Sequence, residues 1–298
     1  MWISFGLFSA ILLGFYDIAK KHALKENSTM HVLLMTTFMS GVLMSFFPVI
    51  SYLNPHWALS KSVYIGSLSY YQHGLLFLKA FIVGVSWVFS YMALKSLPIS
   101  MVAPIRASGP VWTLLGAYFL FLEKPSLLQI IAILLILISF YAFSVIGKKE
   151  GIVFLKNKFI AYIFLATWVG TLSTLFDKYL LHVIKLDPLT ILTWYSIYMA
   201  LIQAIFFVGL KSYKKNNSFK FRVSILLIGL FLLVADWFYF IALEQEDALV
   251  TILSALRRSN VIISFGIGGI LFKDQFKRQK AIPLLGVLVG VVLLTLYS

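Results

Sequence analysis

"SYMALKSLPISMVAPIRASGPVWTLLGAYFLFLEKPSLLQ" runs from Ser90 to Gln129, and "YFIALEQEDALVTILSALRRSNVIISFGIGGILFKDQFKRQK" runs from Tyr239 to Lys280. Each stretch ends one apolar run on aromatic-x-Ala-Leu, breaks briefly, resumes as a long apolar run with an interior arginine, and turns at an acidic residue. With a two-residue shift in the break, Ala93 matches Ala242, Arg106 matches Arg257, Ser108 matches Ser259 and Glu123 matches Asp274. Self-similarity at long spacing is the mark of a duplicated architecture. The opening runs of the halves correspond as well. "GFYDIAKKHAL" from Gly14 and "STLFDKYLLHV" from Ser173 each bring an aspartate and a lysine toward a helix end, although aligning Asp17 with Asp177 separates Lys20 from Lys178.

Composition says where such a duplicated unit lives. The chain has 298 residues, 61% hydrophobic and 12% charged, with a mean hydropathy of +0.94. A soluble domain is about 25% charged. The few charges crowd between apolar runs of roughly 20 residues, the length that spans a bilayer as helix. Continuous runs such as "LLQIIAILLILISFYAFSVIG" exclude a barrel, whose strands alternate over about ten residues. The expectation is an all-α integral membrane protein with about ten helices, near residues 3–24, 30–52, 74–96, 99–122, 126–147, 157–182, 188–211, 221–244, 247–271 and 280–297. The N-terminal run reads as a first membrane helix, without the basic leader and cleavage site of a removed signal. The longest connection, "NPHWALSKSVYIGSLSYYQH" from Asn54, carries Trp57, Tyr64, Tyr70 and Tyr71, residue types suited to the headgroup layer. There are no cysteines, which removes disulfides and thiol chemistry. The formal charge of +14 is read as a basic cytoplasmic rim, with no nucleic acid as partner.

Five helices per half is an odd number, so two such repeats must enter the membrane in opposite senses. The predicted architecture is a first repeat over 1–147 and an inverted second repeat over 152–298, together one transport domain. The pattern from Tyr91 to Phe143, and its weaker copy from Phe240 onward, resembles the two repeats of the drug/metabolite transporter superfamily, EamA type. Gly14 followed by Lys20 fits that family's first-helix pattern. The second copy departs in carrying Ala255 where Pro104 stands, and Asp274 where the first has glutamate. The related four-helix multidrug exporters hold a membrane glutamate in helix 1, whereas this chain has Asp17 and no glutamate until Glu26, which weakens a cationic-drug reading. The resemblance implies a secondary carrier in a bacterial inner membrane, multi-pass, as monomer or homodimer.

Interior charges are the candidates for chemistry. Arg257 and Arg258 lie about ten residues into the expected helix 247–271, roughly 15 Å deep. An arginine facing lipid there costs about 2.5–3.5 kcal/mol on insertion scales. Arg106 sits at the equivalent depth of the expected helix 99–122. Two readings stay open for the three arginines: an ion-pair network with Asp17, Asp177 and Asp236, or a seat for the carboxylate or phosphate of a polar metabolite, which planar guanidinium forks grip bidentately. Asp236 is also a candidate for proton coupling. Ser254 is expected on the stripe of Arg258, and Asn260 and Ser264 on that of Arg257. Lys20 and Lys178 read as residues that snorkel to the rim. Trp87, Tyr91 and Trp237 are the aromatics assigned to a cavity wall, from a wider set that includes Trp112, Trp168, Trp194, Tyr195 and Tyr239. Pro104 and Pro110 are expected to loosen their helix.

The basic rim comprises Lys20, Lys21 and Lys25, then Lys148, Lys149, Lys156 and Lys158, the cluster Lys211 to Arg222, and Lys273 to Lys280, against Lys61, Lys79, Lys124 and Lys185 opposite. Positive-inside then puts both termini outside the cytoplasm. Scattered histidines show no metal-ligand spacing, and neither a metal nor any other cofactor is expected. No histidine falls at midplane depth to serve a nucleophile such as Ser108, which argues against an intramembrane enzyme. The function predicted is alternating-access transport of a small polar, anionic organic metabolite, coupled to protons or exchanged; a flippase for a lipid-linked sugar is the alternative.

Overall fold

The computed structural model describes residues 2–109, 111–112, 126–149, 151–209, 219–246, 248, 250–275 and 277–295, and they form an all-helical structure with no strand among them. Helix α1 spans Trp2–Leu24, α2 Thr29–Leu53, the short α3 Pro55–Ser60, α4 Tyr70–Ser96, α5 Ile99–Ala107 and α6 Leu127–Lys149. In the second half, α7 spans Lys158–His182, α8 Pro188–Gly209, α9 Val223–Glu244, α10 Val250–Arg258 and α11 Lys277–Thr295. Between α10 and α11 the chain continues through Asn260–Ile263, a π turn over Ser264–Gly268 and Gly269–Leu271. Among the described residues, seven helices are long and apolar enough to cross a membrane: α1, α2, α4, α6 (from Ile130), α7, α8 and α9.

The starts of these helices follow from local chemistry. Ser28 and Asn157 accept hydrogen bonds from the first free amides of α2 and α7, and Ser69 with Gln72 closes a reciprocal capping box on α4. Pro188 opens α8, where a missing N–H costs nothing, and Asp187 accepts from the Thr190 N–H at 2.9 Å. The expected spans 99–122 and 247–271 differ from a single regular helix. The first turns out of α5 at Ser108, and Pro110 and residues 113–125, with Glu123, lie outside the described residues. The second bends at Ser259 and again at the π turn, beside Gly266, Gly268 and Gly269. Each break frees backbone groups that only a protein-lined interior can satisfy.

Surface and interior are inverted relative to a soluble protein. Phe38, Val42, Phe46 and Val49 on α2, and Leu134, Leu137 and Ile138 on α6, stand outward and exposed, as lipid-facing residues must. Buried instead are Asp17, Lys20, Lys79, Asp177, Asn260 and Lys280.

The halves interleave. Helix α1 packs along α9, α2 along α8, α4 along α7 and α8, and α6 along α11. Helix α5 lies against α7 and the π turn, while α10 and Asn260–Ile263 lie against α1. The last approach requires Gly14, because a Cβ there would come within 2.6 Å of the Ile263 Cβ.

At the rim where α1 and α4 end, polar contacts tie the halves together. The Ser100 N–H at the start of α5 donates to the Asp274 carboxylate at 2.9 Å, and the buried Lys280 ammonium donates to the Ser100 Oγ at 3.0 Å. Lys21 donates to the carbonyls of Leu94 and Leu97, each at 2.6 Å, at the carbonyl end of α4. Glu26 pairs with Arg222 at 2.6 Å and Lys220 at 3.3 Å, and hydrogen bonds from those two cations hold its carboxyl below the usual carboxylate range.

Candidate functional site

A polar cavity of about 160 Å³ opens where the two halves meet. One water needs about 10–15 Å³ on this measure, so there is room for a small solute. Regular spacing builds its walls. On α4 the stripe is Lys79, Val83, Ser86, Trp87, Ser90 and Tyr91; on α7 it is Thr167, Gly170, Ser173, Thr174 and Asp177. These steps of three and four put one helix face on the cavity. Helix α1 adds Tyr16 and Lys20, α5 adds Arg106, and α8 adds Tyr195. Helix α9 adds Asp236, Tyr239 and Phe240, and α10 adds Ser254, Arg257 and Arg258.

Among the described residues, three carboxylates hold four of the five cations in this wall. Asp17 Oδ1 receives both Lys20 at 2.8 Å and Arg106 at 2.5 Å, while its Oδ2 accepts from the Asn260 amide at 2.9 Å. Asp177 pairs with Lys79 and accepts from the Tyr239 hydroxyl at 3.3 Å. Asp236 Oδ1 receives Arg257 at 2.6 Å. Aromatic faces cover the same cations: Lys20 lies 4.1 Å from the Tyr16 ring centre, Lys79 4.7 Å from that of Tyr195, and the Arg257 guanidinium 4.1 Å from that of Tyr239. Such pairing offsets the cost of burying charge below the headgroups.

Arg258 is different. No ion pair or hydrogen bond involving it is found among the described residues, and its Nε, like that of Arg257, is buried without a partner. The like charges of Arg106 and Arg257 line the same cavity. Its guanidinium lies against α5's end because Gly109 has no side chain; a Cβ there would stand 3.0 Å from Nε and 3.1 Å from the second terminal nitrogen.

The structure thus brings Arg106, Arg257, Arg258, Trp87, Tyr91, Asp177 and Asp236 to one cavity, with Asp17 directly behind it. It leaves Trp237 off the wall. Positions 236, 239 and 240 share a helix face, whereas 237 points about 100° away and packs into the apolar core. Trp168 stands outward, and Trp194 stacks with Tyr198 beside His73. Asn260 does not continue the stripe of Arg257, because the bend at Ser259 redirects it to Asp17.

Two lysines correct the expectation drawn from the sequence. Lys20 does not snorkel to the rim: it is 1% exposed, on Asp17. Lys79 is not a rim charge: it is 3% exposed, on Asp177. Lys178 is exposed. The signal available for Lys79 was its place at the head of the stripe Lys79, Val83, Ser86 and Ser90. No group of three or more potential metal-ligating side chains forms among the described residues.

Comparisons with known proteins agree with this architecture. Solved structures match the fold; in one crystal structure, 14% identical, the match covers 99% of this chain and 97% of the other with a TM-score of 0.63. No curated protein matches. The model described as "EamA-like transporter family" matches residues 1–145. Its apolar, membrane-length helices make the chain a multi-pass membrane protein, and its first half, residues 1–145, is identified by this match with the EamA-like transporter family of the drug/metabolite transporter superfamily.

Proposed function

We propose that the chain is a secondary carrier that moves a small, polar, anionic organic metabolite across the bacterial inner membrane by alternating access. Two inverted five-helix repeats rock about the central cavity. The observation that carries this reading is the cavity itself, a pocket at the meeting of both halves whose wall holds more cations than carboxylates. Guanidinium forks at that depth suit a carboxylate or phosphate.

The packing pattern supports the repeat. When each first-half element is exchanged for its sequence counterpart (α1 for α7, α2 for α8, α4 for α9, α5 for α10, α6 for α11), the α1–α9 pairing becomes α7–α4. The α2–α8 and α6–α11 pairings map onto themselves, and both kinds of pairing occur. Such exchange is what a pseudo-two-fold axis in the membrane plane produces. Coupling to protons or to a counter-solute runs through Asp236, Asp177 and Asp17, whose cations are released when substrate takes their place. Both termini lie outside the cytoplasm, on the positive-inside argument; a terminal tag that is labelled only from the cytoplasmic side overturns that orientation.

The test is uptake into proteoliposomes from a panel of labelled amino acids, sugar phosphates and nucleotides. Arg257→Gln and Arg258→Gln, in protein that remains folded, each abolish uptake. Undiminished transport in both rejects the substrate role of the arginines.

A further inference from the structure

Charge in the cavity balances unevenly, and the imbalance has a definite location. Lys79 is matched by Asp177, and Arg257 by Asp236. Asp17 alone answers both Lys20 and Arg106, leaving that group one positive charge in excess, and Arg258 contributes a second. The two excess charges line one cavity, and the Arg258 guanidinium lies against Gly109, three positions beyond Arg106. A buried cation without a partner is costly, and a guanidinium with idle donors more so. Gly109 preserves this arrangement by letting the unpaired guanidinium lie flat against α5.

We propose that the cavity takes a small organic dianion, one of whose charges is received by the Arg258 fork and the other by the Asp17–Lys20–Arg106 group. The inference rests on the carrier reading above and narrows its substrate to molecules with two negative charges, whether two carboxylates or one doubly ionised phosphate. Bound there, the dianion brings the described charges to neutrality and supplies the acceptors that Arg258 lacks. A monoanion leaves one cation unmatched, and a cation meets repulsion from both excess charges. The hydroxyls of Ser86, Ser90, Ser173 and Ser254 provide polar wall for the rest of the solute.

The experiment is a thermal-stability titration of the purified full-length protein in nanodiscs, at matched ionic strength, because a ligand that prefers the folded state raises its melting temperature. The probes are succinate and glycerol 2-phosphate as dianions, with succinamate and acetate as monoanions. The dianions are expected to reach half-saturation at concentrations at least about tenfold lower than the monoanions. Arg258→Gln brings the two classes within about twofold, while Arg258→Lys, which keeps the charge and loses the fork, retains a weakened preference. Gly109→Ala displaces the guanidinium and weakens the dianions alone. Equal stabilisation by the two classes, no stabilisation by either dianion, or a preference that survives Arg258→Gln overturns the proposal. If the preference is absent while uptake of another solute in proteoliposomes still requires Arg257, the dianion assignment falls and the carrier reading stands.

Discussion

The two aspartates that the halves place on their opening helices, Asp17 and Asp177, occupy similar positions in sequence and opposite situations in space. Asp17 draws together α1, α5 and the Asn260–Ile263 segment by accepting from three side chains. Asp177 takes a single lysine, from α4, and a tyrosine hydroxyl. Its symmetric partner would be Arg257, the counterpart of Arg106, yet Arg257 turns to Asp236 on α9 instead. Two residues without counterparts cause the divergence. In the register that sets Ala93 opposite Ala242, Lys79 falls opposite Ile228, and Asp236 falls opposite Trp87. On the repeat proposed above, one cation and one anion without counterparts set the two halves apart. The first cluster acts as a tie between three elements, and the second separates into two pairs, both in contact with Tyr239.

Removing Asp17 is therefore the most severe way to test the contrast. Asp17→Ala strands two buried cations, with an expected loss of about 3–5 kcal/mol in unfolding free energy. Asp236→Asn strands one partly open arginine, with an expected loss of about 1–3 kcal/mol. Denaturant unfolding of both variants in the same detergent ranks them, and equal losses would erase the distinction between tie and pair. Next in size is Lys79→Met, which leaves Asp177 charged in the core, whereas the double change Lys79→Met with Asp177→Leu should recover most of the stability lost. A double variant no more stable than the single one means that the Lys79–Asp177 pair is not energetically self-contained.

Smaller effects belong to the aromatic wall. Trp87→Leu, on the cavity, is expected to lower uptake about tenfold, and Trp237→Leu, off it, by less than about twofold, with each rate measured at matched reconstitution. The smallest effect lies at the rim. Glu26, held below the usual carboxylate range by Arg222 and Lys220, adds stability that is fully present above its unfolded value and lost as pH falls through its lower folded value. A melting-temperature difference between wild type and Glu26→Gln should therefore shrink as pH falls from about 5, and vanish in high salt. A difference that grows on acidification contradicts this account.

The membrane class and most spans were legible because length and hydropathy are local properties of a run. The arginines stood out for the same reason: a guanidinium in the middle of an apolar helix needs an explanation whatever surrounds it. Lys79 escaped because its partner lies far away along the chain, so its burial depends on tertiary packing of α4 against α7. Lys20 escaped because a lysine near a helix end satisfies snorkelling and ion pairing equally well in sequence. The bend at Ser259 was invisible to a reading that assumed a regular helix, and it moved Asn260 from the stripe of Arg257 to Asp17. Trp237 was recoverable, since the spacing of Asp236, Tyr239 and Phe240 already excludes it from their face.

Helix α5 is short, and both of its ends are engaged. Ser100 at one end holds the Asp274 carboxylate and the Lys280 ammonium, and Arg106 at the other reaches Asp17 behind the cavity wall. Arg106 follows Ser100 by six positions, about 9 Å of helix that includes Pro104. In mechanical terms α5 is a strut. On the carrier reading, an anion that draws Arg106 away from Asp17 pulls on the Asp274 turn through this one short helix, so occupancy of the cavity is expected to be felt at the rim.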